Sequence, residues 1–261
     1  MNSQDIEAKI DAAAAAIVAS KRIVVFTGAG VSTESGIPDF RSPGGIWTKF
    51  DPEDFTIEKF LTSRDSRKKQ WEVLLEGGLF GAVAPNPAHY AIAQLEKLGK
   101  LDCIITQNID NLHQKAGNSP DIVFELHGNM QWVICMHCGK RYSTETIIEK
   151  LQSGIEIPDC DHCLGILKPD VVFFGESLPF LILNTAIERS KKADLFISIG
   201  SSLVVTPAAY MPSYALESGA KLIIVNIGET SLDNRAHILI NGKAGDVMTR
   251  ILEKVSTYLC V

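Results

Sequence analysis

Short apolar runs recur along this chain, and each is stopped by a glycine, an asparagine or another turn-forming residue. The runs are Ile23-Val24-Val25-Phe26, Leu101–Thr106, Ile122–Leu126, the run from Lys168 to Phe174, Ala193–Ile199, Lys221–Val225 and the weaker His237–Ile240. Strands with no polar face must be covered on both sides, which is the condition of a parallel sheet inside helices. Stretches of helical periodicity lie between the runs. They include an opening helix striped by Ile6, Ile10, Ile17 and Val18, a helix from Ala88 to Leu98 stopped by Gly99, and one from Phe180 to Lys192. A further helix carries Pro212 near its middle, and the last begins at about Val247. The alternation specifies an α/β fold with a doubly wound parallel sheet.

The polar residues that matter follow the strands. The run ending at Phe26 breaks into Thr27-Gly28-Ala29-Gly30-Val31-Ser32-Thr33, where glycines would let the backbone approach a nucleotide phosphate at the start of a helix. The full dinucleotide fingerprint wants a third glycine where Thr33 stands, so an ordinary tight turn is the competing reading. Gly36-Ile37-Pro38-Asp39-Phe40-Arg41 then mixes flexible, rigid, acidic, aromatic and basic residues as ligand-holding loops do. Gln107-Asn108-Ile109-Asp110-Asn111-Leu112-His113 follows the Leu101–Thr106 run. It is either a helix cap and turn or a polar pocket lining, and its place on the same sheet edge as the glycine loop favours the pocket. His127, beside Gly128 and just past another strand end, is a structural histidine or is placed as a general base would be.

Between Asn129 and Leu167 the α/β rhythm stops. Cys135-Met136-His137-Cys138 and Cys160-Asp161-His162-Cys163 form two Cys-x-x-Cys knuckles separated by residues 139–159. Each knuckle turns two sulfurs towards one point, and four thiolates close a tetrahedron with no open position, so the pair reads as structural zinc. Two local disulfides or a redox pair would not need matched knuckles. Cys103 and Cys260 are left over as packed small hydrophobes. Residues 42–86 hold Trp47, Phe50, Phe55, Phe60 and Trp71 among many charges, which reads as short helices around an aromatic core.

The 261 residues suffice for one large domain or one domain with an insert. A net charge of −6 argues against sequence-blind nucleic-acid binding, which needs a basic face. No run reaches membrane-span length. Asp5, Glu7, Lys9 and Asp11 precede the tract Ala12–Ala16 where a signal peptide would be basic, so a cytoplasmic protein is expected.

Taken together, Phe26–Arg41, Thr106–His113, Leu126-His127-Gly128, the paired knuckles, Phe174-Gly175-Glu176-Ser177-Leu178-Pro179, Gly200-Ser201-Ser202-Leu203 and Gly242-Lys243-Ala244-Gly245 resemble the sirtuin family of NAD-dependent protein-lysine deacylases. The resemblance runs in the family's order from about Lys21 to the last helix. It implies a Rossmann-type NAD-binding domain from residues 1–41, 87–128 and 168–261. A small domain would come from the helical insertion 42–86 and the zinc module 129–167. NAD is implied as co-substrate, zinc as a structural ion, and a protein or peptide carrying acetyl-lysine as partner, with no nucleic acid, no membrane and a monomer favoured. In such enzymes the acetyl oxygen attacks C1′ of the nicotinamide ribose, nicotinamide leaves, and the acetyl group ends on ADP-ribose.

By the same resemblance His127 is the general base, and Asn108 and Asp110 orient the ribose and the carboxamide. Phe40 covers the reactive sugar. Gly28, Ala29, Gly30, Thr33 and Arg41 address phosphate and ribose, and Gln107 the ribose. Ser201, Ser202 and Asn226 hold the adenosine half, and Asp39, Ile109, Gly200, Ile227 and Ala244 complete the cofactor site. The peptide is expected to add as a strand between Val171, Phe173, Phe174, Gly175 and Glu176 on one side and Leu203 and Val204 on the other. Ser201 stands where threonine is commoner, and both supply a hydroxyl. Relatives preferring succinyl or malonyl groups carry a Tyr-x-x-Arg pair in the helical insertion, and residues 42–89 contain no tyrosine. Neutral acyl groups are therefore expected. Mono-ADP-ribosylation from the same cleft and a non-catalytic zinc-ribbon, NAD-sensing module are the alternatives, the second disfavoured by His127, Asn108, Asp110 and the acidic charge.

Overall fold

A computed structural model describes residues 3–40, 44–48, 51–75 and 83–260. Arg41 and Phe50 lie outside these, as does the side chain of Trp47. Helix α1 (Ser3–Ala19) leads into the wholly buried strand β1 (Ile23–Thr27). The helical insertion contributes α2 (Ile57–Thr62) and α3 (Arg64–Leu75), followed by α4 (Pro87–Lys97), β2 (Leu101–Thr106), α5 (Leu112–Ala116) and β3 (Val123–Glu125). A second module holds β4 (Gly128–Cys135), β5 (Arg141–Ser143), α6 (Thr144–Gln152) and β6 (Leu167–Val171). The chain ends with α7 (Phe180–Lys192), β7 (Leu195–Ile199), α8 (Met211–Glu217), β8 (Lys221–Asn226), β9 (Ile238–Asn241) and α9 (Ala244–Leu259).

The large sheet has six strands in the order β3-β2-β1-β7-β8-β9, all parallel. Alternate side chains of each strand go to opposite faces, so both faces carry a core. Ile23 and Val25 pack with Ile10, Ile92 and Met248 under α1, α4 and α9. Val24 and Phe26 pack with Phe196, Ala186 and Met211 under α7 and α8. Helix α4 is capped reciprocally: the Asn86 side chain accepts from Ala88 N at 3.0 Å, and Asn86 N donates to His89 Nδ1 at 3.3 Å. Asn86 Nδ2 also donates to Val31 O at 2.7 Å and so ties the loop after β1 to this cap. No helix among the described residues is long and apolar enough to cross a membrane.

Four sequence expectations change. The run beginning at Lys168 does not rejoin the parallel sheet. Instead, β6 pairs antiparallel with β4 in a three-stranded sheet ordered β5-β4-β6. An apolar run reports burial but not which sheet buries it, and Gly128 decides the matter. At φ +79° it turns the chain from His127 into β4, so close to β6 that a Cβ there would lie 2.1 Å from Asp170 O. Pro212 sits in the first turn of α8, not its middle, where a missing N–H costs nothing. Helix α9 starts at Ala244, before the expected Val247. Cys103 is fully buried as expected, but Cys260 is exposed as the left-handed C-cap of α9.

A third core joins the helical insertion to the second module. Phe60, Trp71, Val133, Tyr142, Ile147, Leu167 and Phe173 form it, with Phe60 and Phe173 edge-to-face at 5.2 Å. Phe60 and Trp71 are thus core aromatics, while Phe55 is only half-buried and faces the cleft described next.

Candidate active site

In an open parallel sheet the crevice opens where strand order reverses, here between β1 and β7. The loops after these two strands are stitched together by Gly28 N to Ile199 O at 3.1 Å and Gly30 N to Gly200 O at 2.8 Å. A Cβ on Gly28 or Gly30 would lie 2.8 Å from Gly200 O, and a Cβ on Gly200, at φ +63°, would lie 2.2 Å from Val31 N. The glycines are thus required by the approach of two loops, before any ligand is considered. No α-helix begins after them. Residues Ala29–Val31 and Thr33–Ser35 make two single 3₁₀ turns, which accommodates threonine in place of the third glycine.

The end of β2 meets this loop through Ser32, 1% exposed and not singled out from sequence. Its hydroxyl donates to Asp110 Oδ2 at 2.7 Å and accepts from Asn108 Nδ2 at 3.1 Å. Asn108 Nδ2 also donates to Gly28 O at 3.2 Å, and Asp110 Oδ1 accepts from Leu112 N at 2.9 Å at the start of α5. The two readings of this segment therefore hold together, because Asp110 caps a turn and lines the cleft. Its position inside the glycine loop was the only sequence signal for Ser32.

His127 Nδ1 lies 2.9 Å from Gln107 O. A carbonyl can only accept, so Nδ1 carries the proton and Nε2 is the basic nitrogen. Burial lowers the His127 pKa below the ordinary imidazole value, with the Gln107 carbonyl pulling partly the other way. Gln107 Nε2 donates to Ser201 Oγ at 2.9 Å, which links the ends of β2 and β7.

These groups line one cleft of about 850 Å³. Gly28, Ala29, Gly30, Thr33, Asp39, Phe40, Gln107, Asn108, Ile109, Asp110, His127, Gly200, Ser201, Ser202, Asn226, Ile227 and Ala244 all border it. So do Val171, Phe173, Phe174, Gly175, Glu176 and Val204. Leu203 does not: with φ +55° it is 4% exposed and packs into the core under α7 and α8, its N–H taken by Ser201 Oγ at 3.3 Å. Much of the backbone expected to receive a peptide is already engaged. Val172 N donates to His127 O, Phe174 N to Phe55 O, and Ile57 N to Phe174 O. Gly175, exposed at φ +86°, forms no hydrogen bond among the described residues.

Cys135, Cys138, Cys160 and Cys163 converge with all sulfurs within 4.8 Å of one another. The Cys135–Cys163 and Cys138–Cys160 separations are 3.5 and 3.7 Å. A tetrahedral ion with bonds of about 2.3 Å sets sulfurs about 3.8 Å apart, so this donor set fits zinc. Backbone N–H groups of His137 and Cys138 point at Cys135 Sγ, while His137 and His162 are exposed and outside the cluster. With Cys135 and Cys160 inside the third core, the site is structural.

The Sir2 family profile matches residues 28–207. NAD-dependent protein deacetylase 1 of Pyrobaculum aerophilum is 44% identical over 252 residues, which cover 96% of each chain. NAD-dependent protein deacylase 2 of Archaeoglobus fulgidus is 45% identical over 251 residues, covering 96% of this chain and 97% of its own. A solved structure addressing the mechanism and regulation of Sir2 enzymes superposes with a TM-score of 0.86 at 45% identity, covering 97% and 99% of the two chains. A Sir2 complex with p53 peptide and NAD+ gives 0.83 at 39% identity, covering 98% and 100%.

Proposed function

This chain belongs to the Sir2 family and is an NAD-dependent protein deacetylase, and from that premise we propose that His127 is its general base, with Asn108, Asp110 and Ser32 holding the sugar it acts on. The observation that carries the assignment is the Nδ1–H bond to Gln107 O, which leaves a neutral imidazole with Nε2 free to take a proton. When bound, NAD supplies the ribose carbon that loses nicotinamide and receives the acetyl oxygen. His127 removes a proton from a ribose hydroxyl. Asn108 and Asp110, fixed by Ser32, orient the ribose and carboxamide so that little motion remains to be frozen at reaction. Ile37, Pro38 and Phe40 border the cleft and exclude water from the reacting sugar. Gly28, Gly30 and Thr33 hold phosphate, Ser201, Ser202 and Asn226 the adenosine half, and Gly175 and Val204 flank the peptide.

A lowered His127 pKa has a defined kinetic sign. The base form must be neutral, so kcat/KM for an acetyl-peptide stays flat at neutral pH and falls as pH drops through the His127 pKa. Its acid midpoint is expected below 6.5, the ordinary imidazole value. A pH–rate profile with its midpoint at or above that value contradicts the assignment.

The wall contributed by the helical insertion supports a neutral acyl group. Among the described residues, Glu72, Lys69 and Asp54 border the cleft there, Asp54 already paired with Lys59, alongside apolar Ile46, Phe55, Val73 and Leu74, and no arginine is among them. An acetyl-peptide is expected to exceed the matched succinyl-peptide in kcat/KM by about tenfold or more, the ratio given by about 1.4 kcal/mol of unfavourable charge interaction. Comparable rates on the two peptides defeat this reading.

The proposal also keeps the large domain as residues 1–41, 87–128 and 168–261 and the small one as 42–86 and 129–167. Pairing of β6 with β4 supports moving the last boundary to Val171. Placement in the cytoplasm is supported by six cysteines, none of them in a disulfide.

A further inference from the structure

Lys168 is the most buried charged side chain beside the cleft that the reaction does not use. Its side chain is 5% exposed, and its carboxylate partner Glu176, across the turn that follows β6, is 20% exposed. Nζ donates to Glu176 Oε2 at 3.0 Å, to Val171 O at 2.5 Å and to Pro169 O at 3.2 Å, so all three ammonium protons have acceptors. The same Glu176 oxygen accepts from Phe173 N at 2.7 Å, and Glu176 N donates to Phe173 O at 3.0 Å. The turn 173–176 is therefore closed twice, once by its backbone and once by a half-buried carboxylate that Lys168 holds. Nζ also lies 4.5 Å from the centre of the Phe173 ring, which meets the Phe60 ring edge-to-face.

A buried ion pair is a poor source of stability, because two charges must leave water and apolar residues of equal volume fill such a place as well. What this pair fixes is geometry. On one side of the turn, Val172 N donates to His127 O at 2.9 Å. At its tip stands Gly175, which has a left-handed backbone and no hydrogen bond among the described residues.

We propose that Lys168 and Glu176 form a positioning pair for the acylated peptide, holding the 173–176 turn so that Gly175 offers its backbone N–H and C=O to the incoming strand. The inference rests on the deacetylase reading and assigns neither residue a role towards NAD. An extended peptide draws its affinity from main-chain hydrogen bonds, so a displaced turn weakens peptide binding and leaves the nucleotide side intact.

Lys168→Met tests this in the full-length zinc-loaded protein. The KM for an acetyl-peptide is expected to rise about tenfold or more, while the ADP-ribose Kd measured by calorimetry stays within about twofold. The variant leaves the half-buried Glu176 carboxylate without its partner, so its Tm will also fall. Lys168→Met combined with Glu176→Gln removes that unpaired charge. It is expected to recover the Tm and to keep the raised peptide KM, and it serves alone if the single variant does not fold. A peptide KM that recovers together with the Tm, or a KM unchanged in both variants, overturns the positioning role. Failure of the wild-type protein itself to turn over acetyl-peptide while it binds ADP-ribose removes the deacetylase reading and this inference with it.

Discussion

Replacing His127 by alanine is expected to lower acetyl-peptide turnover by about 10²–10⁴-fold, the range for loss of a positioned general base, with ADP-ribose affinity nearly unchanged. The structure makes this a clean removal. Among the described residues the imidazole bonds to Gln107 O, so its loss leaves no donor without an acceptor, only that carbonyl without its donor. The neighbouring bond that shapes the peptide side comes from Val172 N to the backbone oxygen of residue 127, which alanine retains. Asn108, Asp110 and Ser32 bond among themselves and to the glycine loop without His127, so the nucleotide side keeps its form. Mass spectrometry of the peptide after incubation with NAD measures the effect. Full deacetylation by the variant removes His127 from its role.

Stripping the metal should have the next largest effect, because it acts on folding itself. The third core is small and includes Cys135 and Cys160, so four sulfurs within 4.8 Å of one another sit against its packed residues. Without an ion these thiols have only weak hydrogen bonds to satisfy them. Binding free energies of about 10–16 kcal/mol for structural zinc are comparable to the whole stability of a domain, about 5–15 kcal/mol. Chelation should therefore unfold β4, β5, α6 and β6 before the six-stranded sheet melts. All three tryptophans, Trp47, Trp71 and Trp132, lie in the helical insertion or on β4, so fluorescence reports the small module while far-UV circular dichroism follows the rest. Activity should vanish with the fluorescence change, since β4 begins beside His127 and β6 leads into the peptide-side turn. A metal-free protein with unaltered fluorescence and turnover contradicts a structural role for the ion.

The parts of the cleft that lie on single short stretches were legible in the sequence. Gln107, Asn108, Asp110 and His127 stand just past apolar strands, and strand ends on one edge of a parallel sheet must share a crevice. The cysteine knuckles were legible because their chemistry fixes their spacing. Ser32 was not, since one small hydroxyl in a loop gives no sign that Asp110 and Asn108 will close on it. Leu203 misled in the opposite direction: it follows a run of site residues, but its left-handed backbone places it in the core. Lys168 looked like the start of one more strand, and only β4 alongside reveals that its neighbours belong to a second sheet.

Sequence by itself therefore determined the strands of the parallel sheet, most of the helices, the clustered cysteines and the strand-end residues, since each follows from periodicity, capping or spacing within a few positions. Tertiary structure decided what those residues meet. Gly28 and Gly30 need to be glycine because Gly200 lies against them across the switch of strand order. Likewise, Glu34 receives Gly245 N at 2.6 Å from the first turn of α9, far along the chain. Such contacts leave no local pattern, because a side chain's packing partner is set by the path of the whole sheet and not by its neighbours in sequence.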